Sequence, residues 1–178
     1  MRYTENDREL FLQSAEIVAP MLLGKVLCRK MPNGEILRMI ITETEAYPAD
    51  DSACYGYGYE GNHGDKKKTA ANAPLFELGG TCCLYGGMIL IGCGEKGKPD
   101  NVLIRGGIHN GEYCGGPCTV ANALKADKQL HGINITQDNS ELWIEEKPGI
   151  SYLAVARKGL SDTVCVEDKD RKLRFFAV

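Results

Sequence analysis

The sequence predicts a single α+β domain over residues 1–178, built around a largely antiparallel sheet. Three observations lead there. Residues 25–31 and 35–47 are β-prone runs joined through Asn33-Gly34, the strongest short-range signal for an antiparallel turn. Two further short apolar runs flank Gly86-Gly87. Helical patterns are few and short, no repeat or linker interrupts the chain, and 178 residues suffice for one well-buried core.

In chain order, residues 14–24 read as a short helix. Ser14 can cap it, Glu16 suits its positive end and Gly24 can close it, while Pro20 must kink or shorten it. Residues 25–31 form a strand, and 35–47 return antiparallel to it. Side chains alternate along a strand, so Leu37, Met39, Ile41, Glu43, Glu45 and Tyr47 are expected on one face. Two carboxylates thereby extend an apolar row, where an unpaired charge is costly. Either the strand runs out of the core and both Glu are solvated, or the row is a pocket wall carrying an acid or base.

Residues 48–74 have loop composition, and so long an irregular stretch in a compact domain is often functional. Residues 79–92 read as a hairpin with Tyr85 and Met88 at its tip. A strand over 101–106 ends near Arg105. Pro117 suits the first turn of a helix running to about residue 126. Residues 141–145, 150–157 and 172–178 are further strand candidates.

The net charge of −3 argues against a protein that coats nucleic acid. Residues 61–106, however, hold six Lys/Arg against four Asp/Glu, including Lys66, Lys67 and Lys68, which allows one local basic patch. Eight cysteines without Cys-x-x-Cys or His-x-x-x-His spacing read as reduced thiols rather than a metal site. The longest apolar run, residues 82–93, is broken by glycines and far below a membrane span, so no membrane association and a cytoplasmic location are expected.

The order of several motifs carries a resemblance. They are Val18-Ala-Pro-Met-Leu-Leu-Gly-Lys-Val-Leu27, Pro32-Asn-Gly, Ile41-Thr-Glu-Thr-Glu-Ala-Tyr47, Lys68-Thr-x-x-Asn72 with Leu75-Phe76, and Val102-Leu-Ile-Arg105. Gly116-Pro117, Leu142-Trp-Ile-Glu145 and Leu173-Arg-Phe-Phe176 complete the series. Over nearly its whole length the chain resembles the alkyladenine (3-methyladenine) DNA glycosylase family, the single-domain type of mammals and many bacteria. The resemblance implies a curved sheet with flanking helices and a protruding hairpin. It also implies a monomeric enzyme of base excision repair. Such an enzyme flips alkylated purines out of double-stranded DNA and hydrolyses the N-glycosidic bond with an activated water, using no metal and no other cofactor.

By the same resemblance Glu45 is the general base and Arg105 pairs with it beside the catalytic water; Glu43, two residues earlier, is read as structural or as a support behind Glu45. Tyr47, Tyr55 and Tyr85 line the base pocket, and the backbone carbonyl of Lys158 touches the water. Lys66, Lys67, Lys68 and Asn72 approach the DNA backbone. Counting without a gap makes Met88 the wedge that enters the duplex; counting with one makes Tyr85 the wedge.

Departures from the family pattern stand out as well. Tyr55 occupies a position where the family has His. The hairpin carries one Tyr where two are usual, and no Asn falls near residues 93–95. The Pro-Arg expected before Asn72 is Ala70-Ala71. These motivate a rival reading, a degenerate homologue that binds DNA or a nucleobase without cleavage. Retention of both Glu45 and Arg105 speaks for the enzyme.

Overall fold

A computed structural model describes residues 1–57 and 68–178. Among these residues nine strands form one curled antiparallel sheet: β1 (Val26–Lys30), β2 (Ile36–Tyr47), β3 (Cys82–Tyr85), β4 (Met88–Gly92), β5 (Asn101–His109), β6 (Glu112–Gly115), β7 (Leu142–Glu145), β8 (Tyr152–Val155) and β9 (Arg174–Ala177). The helices are short: α1 (Arg8–Phe11), α2 (Ala15–Met21), α3 (Pro117–Ala123) and α4 (Val166–Lys169). The α+β, largely antiparallel expectation holds. As Pro20 demands, α2 stops one residue after it.

The long pair β2–β5 is the spine, and each of its strands has two partners on its other edge. Along β2 these are β1 and then β9; along β5 they are β4 and β6. Helices α2 and α3 pack on one face of this spine. There Leu37, Met39, Ile41, Ala46, Val102 and Ile104 join Val18, Leu22 and Val120 in the main core.

The turn between β1 and β2 holds three residues, not two. Met31 N–H bonds Glu35 O at 2.8 Å, and Gly34 N–H bonds Met31 O at 2.9 Å. Pro32 sets the first turn angle, and Gly34 takes the left-handed position at φ 87°. The hairpin of β3 and β4 does turn in two residues, with Gly86 and Gly87 both at positive φ and Tyr85 paired with Met88.

One expectation is overturned in β2. Its alternation is broken by a bulge: Ile41 pairs with Gly107, but Glu43 pairs with Gly106, leaving Thr42 as the extra residue. The next step skips Arg105 on β5, which restores the register at Thr44–Ile104. A single extra residue inverts the phase of everything beyond it. Leu37, Met39 and Ile41 therefore face the main core, as do Thr44, whose hydroxyl donates to Ala19 O at 2.8 Å, and Ala46. Glu43, Glu45 and Tyr47 share the opposite face. The carboxylates do not continue the row of Leu37, Met39 and Ile41. Arg105, expected at a strand end, sits instead mid-strand at the compensating bulge, because β5 runs on to His109.

Candidate active site

Bringing two carboxylates to one buried spot requires compensation, and the strands around β2 supply it. Glu43 is 3% exposed and Glu45 fully buried. Glu43 Oε1 lies 2.7 Å from Arg105 Nε and 2.6 Å from Arg174 Nε. The Arg174 contact is a hydrogen bond; Arg105 Nε–H points off the line, so its contact is an ion pair. Glu43 Oε2 accepts a long bond, 3.4 Å, from the Tyr113 hydroxyl of β6. Two cations thus balance two anions, the condition for burying them.

Glu45 is held differently. Its Oε2 accepts the Tyr47 hydroxyl at 2.8 Å. Its Oε1 has only looser neighbours among the described residues: Lys158 backbone N–H and Arg105 Nε, both at 3.4 Å, and Arg174 Nε at 3.8 Å. The expected Glu45–Arg105 pairing is therefore secondary, because Glu43 stands closer to the guanidinium. Lys158 meets the site through its N–H, which points at Glu45.

The tyrosines assemble as a wall. Ring centroids of Tyr47 and Tyr55 are 5.1 Å apart, those of Tyr55 and Tyr85 5.0 Å, both tilted near 60°. Phe76, Leu90, Leu103, Met88 and Val164 pack around them in a second apolar cluster. Burial, and then the charge of Glu45, pushes the Tyr47 hydroxyl far above its ordinary range; burial pushes Tyr55 up to about 12. Both phenols stay protonated at neutral pH, so Tyr47 remains a donor to the carboxylate.

Three residues that sequence reasoning did not single out complete the site. Arg174 is one. The others are Arg157 and Asp51, a fully buried pair at 2.7 Å. The Arg157 guanidinium lies 4.8 Å from the centre of the Tyr47 ring, on which it stacks as a cation. It also donates to Ala46 O at 3.0 Å and Asp168 O at 2.9 Å. One side chain thus ties the end of β2, the loop carrying Tyr55 and the segment presenting Lys158. A charged residue inside an apolar strand pattern, as in Leu173-Arg-Phe-Phe176, was the available signal for Arg174.

Tyr85 and Met88 are cross-strand neighbours at the hairpin tip, both half-buried against the tyrosine cluster. Tyr85 reaches Tyr55, so it faces the pocket. Lys68 is exposed and stands 5.3 Å over the Phe76 ring. Lys66 and Lys67 lie outside the described residues. Asn72 is turned inward at 3% exposure, its amide donating to Tyr55 O at 3.0 Å and its carbonyl accepting Thr69 N–H at 2.7 Å. It braces the Tyr55 loop. Among the described residues no cluster of His, Cys, Asp and Glu could hold a metal ion, and no helix is long and apolar enough to cross a membrane.

The sequence profile of a family described as methylpurine-DNA glycosylase matches residues 9–177. A Borreliella afzelii protein provisionally named 3-methyladenine DNA glycosylase is 32% identical, over 96% of this chain and 94% of its own. Provisionally named relatives from Herpetosiphon aurantiacus (30% identical; 78% and 69% covered) and Psychrobacter cryohalolentis (28%; 93% and 88%) carry the same name.

Proposed function

Since the chain belongs to the methylpurine-DNA glycosylase family, we propose that it excises alkylated purines such as 3-methyladenine from double-stranded DNA, using a water activated by Glu45. The observation that carries this reading is the asymmetry of the Glu45 carboxylate. One oxygen is committed to Tyr47, and the other has no contact shorter than 3.4 Å among the described residues.

A base rotated out of the duplex enters the tyrosine wall. An alkylated purine is cationic, and aromatic faces attract it more than an aliphatic surface would. Water then attacks C1′ of the deoxyribose. Its proton passes to Glu45 Oε1, the C1′–N9 bond breaks, and the bonding electron pair leaves with the purine, which becomes neutral. The product is an abasic sugar bearing a hydroxyl at C1′. Lys158 N–H steadies Glu45 Oε1 during the transfer, and Tyr47 holds Oε2. Tyr85 serves as pocket wall, and Met88, beside it at the tip, as the apolar wedge that takes the base's place in the stack.

The test is single-turnover release of base from duplex DNA treated with a methylating agent. Wild type releases 3-methyladenine, and Glu45→Gln, which keeps shape but cannot take the proton, slows release by at least about 100-fold while retaining DNA binding. Intact binding to damaged DNA with no release by wild type would replace this reading with a silent binder.

A further inference from the structure

We infer that Glu43 is a positioning residue that draws Arg105 and Arg174 away from Glu45 and so leaves Glu45 Oε1 able to receive the proton from water. The inference rests on the glycosylase reading above. Four distances carry it. Arg105 Nε is 2.7 Å from Glu43 but 3.4 Å from Glu45, and Arg174 Nε is 2.6 Å from Glu43 but 3.8 Å from Glu45. Simple neutralisation would pair the four groups one to one. Instead a single oxygen, Glu43 Oε1, takes both guanidiniums.

The backbone makes this deliberate. In the ladder between β2 and β9, Arg174 is the direct partner of Glu45, while Glu43 faces Phe176. Arg174 nevertheless reaches along the strand to Glu43. Glu43 is set for the task by the bulge at Thr42, and Arg105 by the bulge opposite. Gly106 makes the approach possible: a side chain there would meet Glu43 Cβ at 3.0 Å and Oε2 at 3.2 Å.

The charged and titratable groups around the pair can be named in full from the described residues. Glu43 is faced by Arg105 of β5, Arg174 of β9 and Tyr113 of β6. Glu45 is faced by Tyr47 on its own strand, by the same two arginines and by Lys158 N–H, with Tyr55 and Arg157 around Tyr47. A carboxylate gripped by two guanidiniums is a poor proton acceptor, and one stripped of cations is protonated too readily to serve near neutrality. Glu43 holds both guanidiniums off Glu45 Oε1 while keeping them in the site.

The two partners therefore act in opposite directions on the acid limb of the pH–rate profile, and a structural role would not do that. In Glu43→Gln both arginines turn to Glu45: the acid limb moves to lower pH by about one unit, and the plateau rate falls at least about tenfold. In Arg174→Gln a cation is lost and the acid limb moves to higher pH by a similar amount; Arg174→Lys returns it toward wild type. Single-turnover release measured from pH 4 to 9 reads all three. Limbs that stay in place, or move the same way in Glu43→Gln and Arg174→Gln, overturn the inference while wild-type release still upholds the glycosylase. Should Glu43→Gln not fold, Arg174→Gln decides alone, an unmoved limb being fatal. Absence of release by wild type at every pH ends both readings.

Discussion

At the scale of single residues, Tyr47 has the most to do. Its hydroxyl fixes Glu45, one side of its ring meets Tyr55, and Arg157 stacks upon it. Tyr47→Phe keeps the ring and removes the bond, so it should slow base release without weakening DNA binding, and lower stability by about 1 kcal/mol. Parallel kinetics and urea melts check both parts. The buried tyrosines also give a pH signature. Folding raises the Tyr47 and Tyr55 hydroxyls above the unfolded value near 10, so the folded chain keeps protons that the unfolded chain releases. Their contribution is present below about pH 10 and is lost as pH rises beyond it. Urea midpoints should fall as pH rises from about 10 toward 12, less steeply in Tyr47→Phe. Arg157→Ala breaks a buried pair, for which about 3–5 kcal/mol is usual; the lower end is expected, since Arg171 also reaches Asp51 at 3.0 Å. Glu45 and Tyr47 stood out because two carboxylates and an aromatic on one strand are chemically conspicuous, while the roles expected of them came from the resemblance. Arg157, Asp51 and Arg174 were not, since no spacing rule links residues that meet only through the fold.

At the scale of elements, the hairpins were readable and the bulges were not. A bulge leaves composition and local propensity untouched, so nothing in residues 37–47 announces that alternation fails at Thr42. The hairpin of β5 and β6 was readable in principle. Asn110 and Gly111, at φ 51° and 83°, form the two-residue Asn-Gly turn that the β1–β2 connection does not, but the strand expected from sequence ends at residue 106. Gly106 and Gly107 are where β2 and β5 press together. A side chain at 107 would meet Met39 Cγ at 2.5 Å and the rigid Ile40 carbonyl at 2.8 Å. Gly107→Ala should therefore destabilise by about 1–3 kcal/mol, measured by urea unfolding. The β3–β4 hairpin makes a separable prediction. Met88→Ala should impair release from duplex DNA more than from single strands, whereas Tyr85→Ala, at the pocket wall, should impair both.

At the scale of the whole molecule, one curled sheet does two jobs with its two sides. The helix-covered side holds the main core, and the other gathers the ions and tyrosines. With a net charge of −3, the protein has little general attraction for DNA. Binding should lose affinity with salt at a log–log slope no steeper than about −4, the mark of about four neutralised phosphates; a titration from low to moderate salt measures it. The fold class was legible because hairpin signals are local, while the side of the sheet that carries the chemistry depends on one unpaired residue. That dependence makes β2 behave like a reading frame. Were Thr42 to pair in turn, the acids and Tyr47 would swing toward the oil and Thr44 and Ala46 toward the DNA; its standing out of the ladder is what keeps the frame. A one-codon deletion of Thr42 should therefore leave Glu43, Glu45 and Tyr47 on the site face by plain alternation, and cost only the match to the bulge at Arg105.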